Sequence, residues 1–216
     1  MRKALEIGGV VAAVVLVAFG IATIVIGANG RTTVHNNLAE QKITGTPDMT
    51  PTAIKAEAAK AGLNVSTIAI PSCSAANKAV NNGSTARCFA QYMKIHALEA
   101  SGGLVYSQMP RYATASGAGT NEAGLALKEK GKPVENPARN VWVQETALST
   151  ALNTSYMAEQ ISLFGIVVGI ALLLSGVGFG ILAIGGALRN PDTALKFLVA
   201  RGRTSAPGST ATPVGA

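Results

Sequence analysis

The chain has little of what marks a soluble catalyst. Of its 216 residues 13% are charged and 5% aromatic, with two cysteines, two histidines and 11 acids against 18 bases. With so few aromatics, none interleaved with bases as a stacking surface, the net charge of +7 does not make a nucleic-acid interface. No Gly-x-Ser-x-Gly elbow opens a helix after a strand, and the Gly-rich runs are not phosphate loops, so serine-nucleophile and nucleotide chemistry have no motif here. Charge and proline are missing altogether from residues 7–26 and 161–188. Each run is long enough, at 1.5 Å per residue, to cross a hydrocarbon core of about 30 Å as a helix. Neither run contains an ionisable residue, which excludes a proton relay or ion path built from these segments alone.

What is present fits a mainly α membrane protein: two transmembrane helices, residues 7–27 and 161–188, bracketing a small helical, disulfide-stapled extracytoplasmic domain, residues 28–160, with at most a minor β hairpin. Arg2 and Lys3 precede the first run, and Arg189, Lys196, Arg201 and Arg203 follow the second. Basic residues beside a span favour the cytoplasmic side, so residues 1–6 and 189–216 are expected in the cytoplasm and the middle outside, at a plasma membrane. The bases also make anionic lipid headgroups the nearest partner. The competing possibility is a cleaved signal peptide ending near Ala28-Asn29-Gly30, but the apolar run is long for one.

Cys73 and Cys88 both fall in the stretch placed outside, where an oxidising compartment lets a disulfide persist. A zinc site from these cysteines with His35 and His96 would lack the close ligand pairs usual for zinc. Helix signals dominate the domain. The first apolar helix can run on past Gly30 towards Gln41. Thr50 can cap a helix begun by Pro51, with Ile54, Ala58 and Ala61 on one face and Gly62 as a stop. Ser84 opens a helix to about Ala100, whose Phe89, Tyr92, Met93 and Ala97 form a core face; Gly102-Gly103 ends it. Val65 to Ile70 alternates partly like a strand and could pair with the Ile43 region. Residues 113–138 look like a mobile, solvated connection. Asn136-Pro137 then starts a helix with a Trp142, Leu148, Leu152 stripe that continues into the second span.

Small residues recur along one face of each span: Gly9, Ala13, Gly20 and Gly27 in the first, Gly165, Gly169, Gly176 and Gly180 in the second. Such seams let helices approach closely, so the spans are expected to pack on each other or on a second copy. Asn190-Pro191 begins a short basic interfacial helix, and residues from Thr204 on have a disordered composition. Asn64, Asn82 and Asn153 head glycosylation sequons, relevant only in a eukaryotic source.

Three stretches carry a resemblance: Ile43-Thr44-Gly45-Thr46-Pro47-Asp48-Met49-Thr50-Pro51, Tyr92-Met93-Lys94-Ile95-His96-Ala97-Leu98-Glu99-Ala100 and Asn136-Pro137-Ala138-Arg139-Asn140-Val141-Trp142. Over roughly residues 1–190 the chain resembles a family of actinobacterial two-span membrane proteins, often labelled aromatic ring-opening dioxygenase. That label implies iron held by two histidines and a carboxylate. Here the set would be His35, His96 and an acid such as Glu99, meeting from separate segments. From the residues themselves we expect an exposed His35, a half-buried His96, no cofactor and no bound metal. The leading expectation is a non-catalytic envelope protein, acting as subunit, scaffold or sensor through its outer domain with a protein partner or as a homodimer. A membrane-anchored metal enzyme is the alternative.

Overall fold

Caps and prolines set the helix boundaries. The computed structural model describes residues 2–185; the predicted interfacial helix, the tail and the last residues of the predicted second span lie outside them. Helix α1 (Arg2–Glu40) meets no breaker and runs unbroken. Helix α2 (Pro51–Lys60) starts where Thr50 Oγ1 accepts from the Ala53 amide, with Pro51 in the first turn where its missing donor costs nothing. Gly62, at φ +78°, supplies the left-handed residue that lets the chain turn away. Helix α3 (Gly83–Ala100) is capped by Asn82, whose side chain accepts from the Thr85 amide while Thr85 Oγ1 accepts from the Asn82 amide. Helix α4 (Pro137–Ile184) follows Asn136, whose Oδ1 accepts from the Ala138 amide.

The described residues form two compact units, one of the apolar arms up to Ile26 and from Phe164, the other Gly27–Leu163. In the first, α1 and α4 pack antiparallel through small residues. A Cβ added at Gly20 would sit 2.8 Å from the Gly169 carbonyl oxygen, and one at Gly176 2.9 Å from the Val17 amide. Only glycine permits that approach of two backbones. Gly9, Ala13, Gly20, Gly27, Gly169 and Gly176 are buried, and Gly165 and Gly180 half-buried. The outward faces stay bare: Phe19 is 64% exposed, Phe164 69% and Ile184 84%.

The second unit has a core centred on α3. Tyr92, Ile95, Phe89 and Cys88 pack with Ile54 and Ala58 of α2, Leu38 of α1, Leu152 of α4 and Val80 of the intervening loop. Cys73 and Cys88 form a disulfide with their Cα atoms 6.1 Å apart. One helical turn on, the Tyr92 hydroxyl donates to the Cys73 carbonyl at 2.6 Å, so one face of α3 grips the same segment twice. Burial pushes the Tyr92 phenol above its ordinary value of 10.0. A smaller cluster joins Trp142 to Ala97 and Met109, and the indole N–H donates to Ser101 Oγ and the Leu104 carbonyl. At the start of α3, Glu159 of α4 accepts from the Gly83 amide at 2.5 Å and pairs with Arg31 of α1 at 3.3 Å, placing a carboxylate at the positive end of the helix.

Three expectations need correction. The cap of α3 is Asn82, two residues before Ser84, because Asn82 rather than Ser84 meets the Thr85 amide. Residues 65–70 form no strand; the Ile43 region bridges instead to the loop ahead of α3, Thr44 with Ala79 and Gly45 with Ala76. The disulfide-bearing segment lies across α3, and that puts residues 76–80 within reach. Residues 113–138 are ordered rather than a free connection. Strands β1 (Lys128–Glu129) and β2 (Lys132–Pro133) pair across Lys130-Gly131, both at positive φ as a type I′ turn requires. Tyr112 exchanges backbone hydrogen bonds with Thr120, and Ala113 donates to Val134, so this region is held by its main chain with Ala126 as its buried apolar residue.

Candidate functional site

The sequence carries two histidines, and the structure gives them different surroundings. His35 is exposed on α1 and belongs to no group of potential metal ligands among the described residues. His96, half-buried on α3, sits among acids from three places. Its Nε2 lies 3.0 Å from Asp48 Oδ2 and its Nδ1 3.1 Å from Glu99 Oε2, one turn along α3. Glu57 of α2 completes the group: single ligand atoms of Asp48, Glu57 and His96 all lie within 4.8 Å of one another.

Local folding explains the convergence. Asp48 lies in the turn Thr46–Met49, closed by the Met49 amide on the Thr46 carbonyl, immediately before the Thr50 cap. Glu57 lies on α2 beside the buried Ala58 and one turn from Ile54, whose packing on α3 turns that side of α2 towards His96. Spacing in the sequence shows the His96 and Glu99 pair, since i and i+3 share a helix face. Asp48 and Glu57 were missed because their approach depends on how α2 packs on α3, which no local pattern encodes.

The iron set implied by the resemblance does not fit this geometry. It needs two imidazoles and a carboxylate on one centre, whereas the group here has one imidazole and an excess of carboxylates. A separate cleft of about 500 Å³ lies between residues 67–72 and α3, lined by Ile68, Ile70, Gln91, Lys94, Leu98 and Val105. Its lining is mainly apolar and has no nucleophile paired with a base. No protein-family model, curated protein or solved structure matches the chain.

Proposed function

We propose that the chain is a non-catalytic integral membrane protein of the cell envelope, serving as a subunit, scaffold or sensor through the Gly27–Leu163 unit. One observation carries this. Two helices are long and apolar enough to cross a membrane, and only 11% and 17% of their most apolar windows are buried within the chain. The core helix of a soluble protein hides such a surface; here Ile26, at 71% exposed, and Phe164 need another apolar medium. Lipid supplies it. The antiparallel pairing of the arms supports a hairpin anchor, and in this reading residues 1–6 and 189–216 face one side of the bilayer and residues 28–160 the other. The basic flanks assign the first side to the cytoplasm, and the disulfide suits an oxidising exterior.

Cysteine accessibility tests the topology. Ser116 is exposed in the middle unit, so Ser116→Cys should react with a membrane-impermeant maleimide on intact cells, while Thr204→Cys should react only after lysis. The opposite pattern would invert the assignment, and labelling of both in a soluble fraction would remove the membrane. The assembly role predicts that native mass spectrometry in mild detergent finds a homodimer or a bound protein. A bare monomer throughout would count against it.

A further inference from the structure

We propose that Asp48, Glu57 and His96 form a divalent-cation site of the zinc type that fastens α2 and its leading turn to α3. This inference concerns the Gly27–Leu163 unit alone and does not depend on the membrane assignment.

Charge carries the first step. Asp48, Glu57 and Glu99 gather around one imidazole, and among the described residues no lysine or arginine makes an ion pair with any of the three. Even with the imidazole protonated, three carboxylates face one positive charge. Half-buried like charges repel unless a cation lies among them. Glu57 shows the deficit most plainly: its carboxylate makes no hydrogen bond or ion pair among the described residues, yet it faces Asp48 and His96 rather than a base. A second deficit lies behind His96, where Glu99 Oε1 is buried without a hydrogen-bond partner.

Geometry carries the second step. Tetrahedral zinc with bonds of about 2.1 Å holds its ligand atoms roughly 3.4 Å apart. His96 and Asp48 lie 3.0 Å apart, and ligand atoms of the whole group lie within 4.8 Å of one another, near that spacing. Metal-bound histidines usually give their other ring N–H to a carboxylate, which fixes the tautomer and the ring plane. His96 has that partner in Glu99, on Nδ1, leaving Nε2 on the side of Asp48 and Glu57. Glu99 is therefore a positioning residue and the other three are ligands.

The ligand types choose the ion. One imidazole with two carboxylates suits zinc, whereas calcium takes six to eight oxygens and no imidazole. Three protein ligands leave a fourth position for water or for a donor from another molecule.

The test uses the full-length protein, purified in mild detergent without a histidine tag, stripped with chelator and titrated with zinc chloride by isothermal calorimetry. The expected result is one zinc per chain and a raised unfolding temperature. His96→Gln, Asp48→Asn and Glu57→Gln should each weaken binding at least tenfold. Glu99→Gln should weaken it about tenfold while keeping the stoichiometry, as loss of an outer partner does, and His35→Gln should change nothing. Glu57→Gln removes no hydrogen bond of the folded chain, so it decides the matter if His96→Gln fails to fold. Zinc uptake below one equivalent, or uptake unchanged in Glu57→Gln, would overturn the site. So would loss of binding in His35→Gln.

Discussion

Removing the disulfide and the Tyr92 hydroxyl separately and together gives a quantitative test of how α3 holds the segment ahead of it. The bridge closes a loop of sequence separation 15. In the chain-entropy account, opening such a loop costs about 3 kcal/mol, because the unfolded chain regains its freedom. For a unit of this size 1 kcal/mol moves the midpoint by about 2–4 °C, so Cys73→Ser with Cys88→Ser should lower it by about 6–12 °C. Tyr92→Phe in the bridged protein should cost about 1 kcal/mol, the net value of one hydrogen bond, since the disulfide still holds Cys73 against the helix. Without the bridge the hydroxyl is the remaining tie at that point, so the same substitution should cost more, with a coupling between about 0.5 and 3 kcal/mol. The readout is thermal unfolding of the full-length protein in detergent, followed by near-ultraviolet circular dichroism. A midpoint within about 2 °C of wild type for the double serine variant would refute the reasoning. It would mean that α2 and the bridge at Gly45 already fix the segment.

Three further outcomes follow from the packing. Burial holds Tyr92 neutral above the pH at which an unfolded tyrosine ionises. Its contribution is therefore intact below about pH 10 and lost as pH rises towards the folded value, and wild type should lose more stability than Tyr92→Phe between about pH 9 and pH 11; parallel curves would sink this. A Cβ at Gly83 would lie 2.7 Å from the Tyr156 Cα, so Gly83→Ala should destabilise by about 1–3 kcal/mol in chemical denaturation despite alanine's better helix propensity. A gain in stability would show that α4 shifts freely. In the arms, a Cβ at Gly180 is 3.7 Å from that of Ala13, the separation of a disulfide, so Ala13→Cys with Gly180→Cys should cross-link on mild oxidation. Adding Gly169→Val, whose Cβ alone meets the Gly20 carbonyl at 2.8 Å, should slow that cross-link; an unchanged rate would argue against this packing.

Local chemistry was legible in the sequence and distant pairing was not. Thr50-Pro51 and Asn136-Pro137 mark helix starts because cap and first-turn proline act within a few residues. The stripe of Phe89, Tyr92 and Ala97 shows which side of α3 is buried, and the two cysteines of the chain pair with each other. The Asn82 cap was displaced to Ser84 because both residues are good acceptors, and only the backbone path separates them. Residues 65–70 alternate like a strand but find no neighbour, since strand formation depends on a partner. The order in residues 113–138 was hidden because it rests on main-chain hydrogen bonds, which composition does not record; the Lys130-Gly131 pair was the available clue. His96 and Glu99 could be read from spacing, but not the acids that reach them from α2 and its leading turn.

The disulfide also has a bearing on the order of synthesis. Both cysteines, the Asn82 cap and the Tyr92 hydroxyl that meets Cys73 lie within the first 100 residues. The bridge and the hydrogen bond beside it therefore involve no residue of α4. Leu152 and Glu159 arrive only later, the one to complete the core and the other to seat on the Gly83 amide. A chain ending before residue 137 would hold both cysteines and Tyr92 but lack Leu152 and Glu159, which cover α3. Its uncovered core face would be a ready surface for a chaperone.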